Sequence, residues 1–298
     1  MRQPKEPNQE DCCNSGCNPC IFDVYAKHIK LYKKFLEHGE NFSEPVVENA
    51  ISQLEYSAFV VADNINLCES HTLLTFKKKV EDDKKLKWRP GQHFLFKFND
   101  QNNGCTRAYT PVNVKARMSD GNFDFAIIIK RYENGLVSNF LSCLNKGDET
   151  LWRGPYGSYE ITENKFSRII MLAQGTGIAP FMSIIEEILN NEENMTKILL
   201  LYCSHSIDTI LFRDELYKFK SFWNFSYDVF VSNISDKFVK YKYQEPIKNI
   251  KLTNEILDQY KPLPQKDQFL LCGSQKFMEN YKLWLLGKNI AQEDIILF

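Results

Sequence analysis

A stretch near the middle of the chain, Met-Leu-Ala-Gln-Gly-Thr-Gly-Ile-Ala-Pro from Met171 to Pro180, constrains the fold most strongly. Residues 169–173 form an apolar run of strand length, and the apolar residues after Pro180 recur at the spacing of one helix face. Gly175 and Gly177 allow a tight turn and a close approach of ligand to backbone, and Pro180 suits the first helical position. Because the free N–H groups of a helix start attract anions, the pattern predicts a phosphate site suited to a dinucleotide. An ordinary strand-to-helix turn has the same pattern.

The overall composition excludes several classes of protein. With 298 residues the chain is long enough for two domains of ordinary size. Its formal charge of -1 gives no overall attraction to nucleic acid or to anionic membranes. No apolar run reaches the roughly 18 residues of a membrane helix, and the start lacks the features of a signal peptide or a myristoylation site. We therefore expect a soluble protein without a membrane span, in the cytoplasm, with a mitochondrial location not excluded.

Four of the nine cysteines lie within the first twenty residues, in the pattern C-C-x3-C-x2-C formed by Cys12, Cys13, Cys17 and Cys20. Four thiolates could share one zinc ion. Adjacent Cys12 and Cys13 cannot easily both be ligands, so the alternative is a reduced segment that docks on a helix or a partner. No metal ligand is assigned. A helix with His28 on its apolar side is predicted from Ile21 to about residue 40, and we expect His28 to be packed rather than to bind a metal.

Changes of hydrophobic period divide the chain into a Cys-rich module (1–40), a linker (41–54) and two domains (55–160 and 166–298). The first domain alternates with a period of two, which predicts strands at 59–62, 72–76, 94–98, 105–110, 123–132 and 149–153, and one helix at 138–144. Six short strands with one helix predict an antiparallel β-barrel.

The second domain alternates strands with helices. Strands are predicted at 169–173, 198–203, 227–232, 268–272 and 294–297, and helices near 180–190, 211–222, 253–260 and 275–287. This order predicts a five-stranded parallel α/β sheet that binds ligands at the carboxyl ends of its strands.

Arg107, Tyr109 and Thr110 lie at the end of a predicted barrel strand. A flavin cofactor needs a cation on its pyrophosphate, an aromatic side chain against its ring or ribityl chain, and a small hydrogen-bonding group near N5. Residues 107 and 109 share one face of a strand and Thr110 is adjacent, so the segment supplies all three. Gly135 and Ser138 open the barrel helix, whose start suits a phosphate, although Ser138 could be only an N-cap. For the segment from Arg107 to Thr110, the alternative interpretation is an ordinary strand without a ligand.

Several short motifs occur in one order that resembles a known family. They are Pro90-Gly91-Gln92-His93, Arg107-Ala108-Tyr109-Thr110-Pro111, Ile128-Ile129-Lys130, Gly154-Pro155-Tyr156-Gly157, the turn from Gly175 to Pro180, Leu211-Phe212-Arg213-Asp214-Glu215-Leu216, Cys272-Gly273 with Met278, and Phe298. Over residues 55–298 the chain resembles the NADH-cytochrome b5 reductase branch of the ferredoxin reductase superfamily. Its start resembles the oxidoreductase-like N-terminal module found ahead of some flavin reductases.

The resemblance implies an FAD- and NADH-dependent enzyme and a role for each motif. Thr110, near flavin N5, and Cys272, beside the nicotinamide, are the implied catalytic residues; a buried structural cysteine is the alternative for Cys272. The residues implied to contact FAD are Arg107, Ala108, Tyr109, Thr110, Ile128, Ile129, Lys130, Gly135, Leu136, Val137 and Ser138. The nucleotide is assigned to Gly175, Thr176, Gly177, Pro180, Cys272 and Gly273, and Phe298 is expected to flank the flavin ring.

The chain departs from the family pattern at three places. Leu136 and Val137 stand where these reductases carry lysine and methionine, so one cation near the FAD phosphates is missing. Ser274 follows Cys272-Gly273 where the family has proline. Near Ser232-Asn233 there is neither a carboxylate for the ribose hydroxyls of NADH nor an arginine for the 2′-phosphate of NADPH. NADH is the family's donor, and NADPH is not excluded.

The resemblance implies hydride transfer from NADH to flavin N5, followed by transfer of single electrons to a haem protein such as cytochrome b5. Seven basic residues between 77 and 89 could meet an acidic cytochrome, or could simply be the solvated edge of a strand. Two other functions stay open: a non-catalytic binding or assembly protein that uses its Cys-rich segment, and an electron donor to an oxygenase or desaturase.

Overall fold

The computed structural model describes residues 3–14, 19–38, 49–80, 83–99, 104–114, 122–232, 242 and 244–298. They form two compact units, residues 1–158 and residues 159–298. No helix within the described ranges is long and apolar enough to cross a bilayer.

The first unit is built on an antiparallel sheet with the six strands predicted from the period-two alternation. They are β1 (Ser57–Cys68), β2 (His71–Lys78), β3 (His93–Asn99), β4 (Gly104–Tyr109), β5 (Phe125–Lys130) and β6 (Glu149–Tyr156). Their order in the sheet is β4-β3-β6-β1-β2-β5. Val112, just after β4, pairs with Ala126 of β5, and this bridge closes the sheet into the predicted barrel. The predicted helix is α2 (Leu136–Ser142).

Aromatic side chains fill the barrel. Phe76, Phe125 and Trp152 are almost completely buried, and the ring centroids of Phe76 and Phe125 lie 4.9 Å apart. Trp152 keeps its one polar group satisfied by donating from Nε1 to Thr150 Oγ1 at 2.8 Å. The strands are held in register because their alternate residues supply this core.

The Cys-rich module packs against the outside of the barrel. Helix α1 (Ile21–His38) confirms the predicted helix, and only Ile21 and Val24 of it are buried. These two side chains, with Cys13, form a small apolar cluster on Leu95 of β3 and Tyr156 of β6. His28 is half-buried on α1. Cys17 lies outside the described residues. No group of three or more possible metal ligands occurs among the described side chains.

Part of the predicted linker, residues 39–48, lies outside the described residues. Residues 49–54 belong to the barrel instead. Ile51 is 4% exposed within the barrel core, and Ser52 O accepts a hydrogen bond from the N–H of Gly154 at 2.8 Å. Ala50 and Ile51 are a buried apolar pair flanked by Asn49 and Ser52, and a pair this short has no period, so the sequence pattern did not reveal it.

The second unit is a parallel sheet flanked by helices. Its strands are β7 (Arg168–Gln174), β8 (Lys197–Ser204), β9 (Phe225–Val231), β10 (Ile247–Lys248), β11 (Asp267–Cys272) and β12 (Ile295–Leu297). The helices are α3 (Ala179–Asn190), α4 (Arg213–Phe219), α5 (Asn254–Asp258) and α6 (Gln275–Gly287). The parallel α/β sheet is confirmed, with a sixth strand, β10, that was not predicted because two residues carry no periodic signal.

The strand order β10-β9-β8-β7-β11-β12 reverses direction between β7 and β11. Ligands of open α/β sheets bind at such a switch point, outside the carboxyl ends of the strands. After β7 the chain forms a 3-10 turn, Gly175–Ile178, so α3 starts at Ala179 and Pro180 is its second residue rather than its first. Proline is tolerated there because the N–H groups of the first helical turn have no partner within the helix.

Candidate cofactor sites

Strand β4 separates the predicted flavin residues by face. Arg107 is opposite Phe96 and Tyr109 is opposite Phe94, and both phenylalanines belong to the barrel core. Ala108 is opposite Leu95 and packs on the apolar cluster under the Cys-rich module. The side chain of Ala108 therefore points away from the face that carries Arg107 and Tyr109, and only its backbone remains for a cofactor on that face.

Tyr109 is held by aromatic packing. Its ring centroid lies 6.0 Å from that of Trp152 and 6.4 Å from that of Phe96. Burial is the main reason that the pKa of its hydroxyl is raised well above the usual value, and the nearby Arg107 opposes the rise. The phenol is therefore a neutral hydrogen-bond donor over the physiological pH range. Thr110, the next residue, is half-buried.

The guanidinium of Arg107 is exposed and donates from Nη1 to the carbonyl of Thr106 at 2.9 Å. Among the described residues no carboxylate forms an ion pair with it. An exposed cation fixed at the end of a barrel strand, without an anionic partner in the described part of the chain, suits an external phosphate.

Strand β5 presents its backbone at the other edge of the sheet. Ala126 O accepts from the N–H of Val112 at 2.8 Å, and the N–H of Arg131 donates to Ser70 O, beside β2, at 2.8 Å. Because backbone groups alternate along a strand, the amides of Ile128 and Lys130 point toward the edge like those of Ala126.

The side chains of β5 alternate between the barrel core and the opposite face of the sheet. Ile129 fills the barrel core at 1% exposure, while Ile128 is buried on the other face. Lys130 Nζ lies 5.3 Å from the centre of the Tyr132 ring. Of this predicted motif, Ile129 therefore contributes to the barrel, whereas the backbone of Ile128 and Lys130 is available to a ligand.

The start of α2 is organised by Ser138. Its Oγ donates to Gly135 O at 3.1 Å and accepts from the N–H of Tyr132 at 3.2 Å. Gly135, not Ser138, is the N-cap residue. Val137 lies in the barrel core, and Leu136 is 50% exposed. The Ser138 hydroxyl is therefore already used, and the polar groups that this predicted phosphate segment could offer a ligand are its backbone N–H groups.

In the second unit the two turns at the switch point lie against each other. A Cβ placed on Gly177 would lie 2.3 Å from the carbonyl oxygen of Cys272, so only glycine allows this approach. Gly175 has φ +57°, and open space surrounds the position of its missing Cβ. Thr176, between them, is half-buried. The 3-10 turn thus presents an uncrowded backbone beside the end of β11.

Gln174 joins these two turns. Its Oε1 accepts hydrogen bonds from the N–H of Ser274 at 3.1 Å and from the Ser274 hydroxyl at 2.7 Å. Ser274 is also the N-cap of α6, where its Oγ accepts from the N–H of Phe277 at 3.4 Å. A proline at 274 would have no N–H and no hydroxyl for these bonds.

Cys272 and Phe298 adjoin the same turn. The Cys272 thiol points to the carbonyl of Phe298 at 3.7 Å, and burial raises its pKa to about 12. It is therefore a neutral thiol, not a nucleophilic thiolate. The Phe298 ring packs on Phe181 at 5.6 Å and on Tyr159 at 5.4 Å between centroids. These contacts fix its position within the second unit.

Comparison with known proteins identifies the domains. Residues 58–161 match the oxidoreductase FAD-binding domain, residues 171–282 match the oxidoreductase NAD-binding domain, and residues 1–40 match the N-terminal domain of oxidoreductase-like proteins. NADH-cytochrome b5 reductase 1 of Candida albicans is 31% identical over 226 residues, which cover 74% of this chain and 71% of the relative. The chain belongs to the NADH-cytochrome b5 reductase family.

Another member of the family matches nearly the whole chain. NADH-cytochrome b5 reductase-like of Mus musculus is 28% identical over 305 residues, covering 99% of this chain and 95% of the relative. Among solved structures, the cytochrome b5 reductase domain of Ulva prolifera nitrate reductase superposes with a TM-score of 0.68 at 21% identity, over 84% of this chain and 99% of that domain. A ferredoxin NADP+ reductase from Neisseria gonorrhoeae, with bound FAD and NADP, gives 0.65 at 17% identity, covering 82% and 98%. These two structures share the fold.

This member of the b5 reductase family is a flavoprotein oxidoreductase with FAD-binding and NAD-binding domains. The residues present fit both cofactors. In the first unit an exposed cation, a fixed phenol donor and an open strand edge offer the groups that a flavin dinucleotide needs. In the second, the Gly175 backbone stands in open space at the start of the twelve-residue helix α3.

Sequence reasoning missed three residues of this b5 reductase. Gln174 holds the two turns together, and Phe181 and Tyr159 hold Phe298. Gln174 directly precedes the glycine turn, so its position was the one available signal. Phe181 has the periodicity of the helix core, and Tyr159 lies at the end of the first predicted domain, 55–160. Neither pattern distinguishes a residue beside a site from a residue that only packs.

Proposed function

We propose that this protein takes hydride from NADH onto FAD and passes electrons one at a time to a haem protein such as cytochrome b5. The name of the matched relatives, NADH-cytochrome b5 reductase, supports both the donor and the acceptor. The observation that carries the proposal is the contact of the Gly175–Ile178 turn with Cys272 and Gly273, because it forms an open backbone site at the switch point of the sheet.

FAD, when bound, supplies the conversion from two-electron to one-electron transfer. Residues at the end of β4, the edge of β5 and the start of α2 would hold it. Arg107 neutralises the pyrophosphate, and Tyr109 packs on the ribityl chain and ring while its neutral hydroxyl donates a hydrogen bond. Thr110 provides the hydrogen bond at the flavin edge near N5, and the edge amides of Ile128 and Lys130 complete the polar contacts. Gly135 and the N–H groups of α2 receive the phosphates without a cation at position 136.

The nucleotide residues position NADH and exclude water, and no acid, base or nucleophile is needed. The backbone at Gly175, Thr176 and Gly177, with the start of α3, binds the pyrophosphate. Cys272 lines the nicotinamide position as a neutral thiol because burial raises its pKa to about 12. Phe298 is held by the rings of Tyr159 and Phe181 within the second unit, and its role beside the flavin ring stays a prediction.

The carboxylate nearest the end of β9 is already used, which affects the choice of donor. Asp228 Oδ2 accepts from Tyr260 at 2.5 Å and from Lys248 Nζ at 3.0 Å. It is therefore not available to the ribose hydroxyls. Ser232, exposed after β9, is the described residue at the ribose position. We assign NADH as donor because the matched relatives are NADH-cytochrome b5 reductases, and because Ser232, the residue described at that position, offers no cation to a 2′-phosphate.

The acceptor assignment rests on charge as well as on family. The basic segment of residues 77–89 carries Lys77, Lys78, Lys79, Lys84, Lys85, Lys87 and Arg89. Lys79 forms an exposed ion pair with Glu149. The segment also contains the acidic residues Glu81, Asp82 and Asp83, so its seven cations leave a net charge of +4. Such a segment attracts an acidic haem protein and raises its association rate at low salt.

The test is the visible spectrum of the purified protein under anaerobic conditions, first with NADH and then with NADPH. We expect a flavin spectrum that NADH bleaches much faster than NADPH. Reduced protein is then mixed with oxidised cytochrome b5 in a stopped-flow instrument over a range of salt concentrations. A second-order rate that falls with salt supports the acceptor, whereas flavin that stays oxidised with both nucleotides would reject the proposed reaction.

A further inference from the structure

Two thiols of the Cys-rich module are in contact. Cys12 Sγ lies 3.7 Å from Cys20 Sγ, and both side chains are half-buried. We propose that Cys12 and Cys20 form a reversible disulfide, which acts as a modification site that fastens the N-terminal segment onto the barrel. The oxidant is a low-molecular-weight disulfide of the glutathione class.

The distance permits the bond with little movement. A disulfide needs its sulfur atoms about 2.05 Å apart, so the two atoms must close by about 1.7 Å, which side-chain rotation supplies. Cys13 has a different environment. It is 3% exposed inside the apolar cluster with Ile21 and Val24. An oxidant reaches Cys12 and Cys20 before it reaches Cys13.

The two thiols belong to segments that are held separately. Cys12 follows the 3-10 turn Gln9–Asp11, in which Glu10 O accepts from Thr106 Oγ1 of β4 at 2.9 Å. Cys20 begins α1: its carbonyl accepts from the N–H of Val24, and its N–H donates to Asp23 Oδ2 at 2.9 Å. A bond between the two sulfurs would therefore tie the segment on β4 to the start of α1.

The reaction balances without another reactant. One protein thiolate attacks the small disulfide and releases one small thiol, which leaves a mixed disulfide on the protein. The second protein thiolate displaces the second small thiol and forms the Cys12–Cys20 bond, so both cysteines are oxidised as the small disulfide is reduced to two thiols. Burial raises the pKa of Cys12, which slows the exchange at neutral pH. The test therefore uses equilibration rather than initial rates.

The consequence lies next to the flavin residues. Thr106, which holds the segment, directly precedes Arg107 on β4. The disulfide lowers the conformational entropy of the N-terminal segment when it is detached from the barrel. Oxidation therefore favours the state in which the segment is docked on β4. We expect amide exchange across residues 6–12 to slow at least about tenfold in the oxidised protein.

The experiment uses the full chain with its bound FAD. The protein is equilibrated in a series of glutathione buffers that range from reducing to oxidising. Its free thiols are then alkylated with a light reagent. After reduction of the disulfides, the newly released thiols are alkylated with a heavy reagent. The tryptic peptide 6–27 contains Cys12, Cys13, Cys17 and Cys20, and tandem mass spectrometry locates each label. We expect heavy label on Cys12 and Cys20 together, with a single midpoint.

Variants separate this pair from other pairings. Cys13→Ser and Cys17→Ser should keep the midpoint, whereas Cys12→Ser and Cys20→Ser should abolish paired labelling. If a variant fails to fold, the positions of the heavy label in the wild-type peptide still show which two cysteines are paired. Heavy label on another pair overturns the proposal. So does a tightly bound zinc ion that blocks all four thiols until a chelator removes it, or the absence of heavy label at any glutathione ratio.

Discussion

Arg153 Nη1 lies 3.3 Å from Asp11 Oδ1, and Arg153 Nη2 donates to the backbone carbonyl of the same aspartate. The arginine side chain is only 2% exposed, and its guanidinium lies 4.5 Å above the ring of Tyr56. A cation buried at the outer face of the barrel is thus neutralised by the N-terminal segment. The Cys-rich module therefore contributes to the free energy of unfolding of the barrel domain.

Replacing Asp11 with asparagine should destabilise the barrel, because it leaves the buried charge of Arg153 without its counter-charge. We expect a loss of about 1–3 kcal/mol in the free energy of unfolding, since the backbone carbonyl still accepts one hydrogen bond. Urea unfolding followed by tryptophan fluorescence measures it, because Trp152 neighbours Arg153 in the barrel. Glu37→Gln, on the exposed end of α1, is the matched control. Equal midpoints for the two variants would contradict the role of Asp11.

Replacing Arg107 with alanine should weaken FAD binding. The loss of a charge-assisted hydrogen bond to phosphate costs about 1.5–3 kcal/mol, which corresponds to roughly a 10- to 100-fold rise in Kd. Fluorescence titration of the apoprotein with FAD measures the change. Lys146→Ala removes an exposed cation from a turn of the same domain and should leave Kd unchanged. A similar rise in both variants would indicate a general charge effect instead of a contact.

Thr110→Val should retain FAD and slow its reduction by NADH about tenfold or more, because the variant keeps the shape and loses the hydroxyl. Anaerobic stopped-flow reduction at saturating NADH is the measurement. Thr110→Ser restores a hydroxyl and should recover most of the rate. Serine and valine variants with the same rate would remove Thr110 from the reaction.

Gly177→Ala should damage the nucleotide site and spare the flavin. The added Cβ would lie 2.3 Å from the Cys272 carbonyl oxygen and 2.6 Å from its carbon. Because both are backbone atoms, the clash can be relieved only by moving the end of β11. We expect the KM for NADH to rise at least about tenfold, since overpacking of this kind costs about 1–3 kcal/mol. FAD content should stay at the wild-type level. Gly287→Ala, where nothing lies within 4 Å of the added Cβ, is the control and should keep the wild-type KM.

Acid should weaken the first unit through His71. Burial first, and the charge of Lys130 second, lower its pKa to about 4 from the usual 6.5. The folded protein therefore binds fewer protons than the unfolded chain between these values. The contribution of neutral His71 is complete above about pH 6.5 and is lost as the pH falls toward 4.

Its size is about 1–2 kcal/mol after allowance for solvent screening. Urea midpoints at pH 7.5 and pH 4.5 measure it. His71→Gln should show a smaller drop between the two pH values than the wild type, whereas His205→Gln, at an exposed position, should show the wild-type drop. Identical drops in all three proteins would show that His71 does not titrate in this way.

Local patterns in the sequence predicted the order of elements and the family. Alternation with a period of two marks strands that cover a barrel core, and an apolar strand followed by Gly-Thr-Gly and a helix marks a nucleotide-binding turn, because both signals come from neighbours in the chain. For the same reason Arg107, Tyr109 and Gly175 could be selected from the sequence, whereas Cys272 was selected only through the family resemblance.

Contacts between distant segments were decided by the tertiary structure alone. The sequence pattern does not show that Ala108 faces the Cys-rich module, that Ile51 enters the barrel core, or that Asp11 neutralises Arg153. Gln174 meets Ser274 across 100 residues, and that contact exists only because β7 and β11 are adjacent in the sheet. Periodicity reports which face of an element is apolar. Which partner covers that face, and which polar atoms meet there, depends on strand order and packing, which residues far apart in the chain determine together.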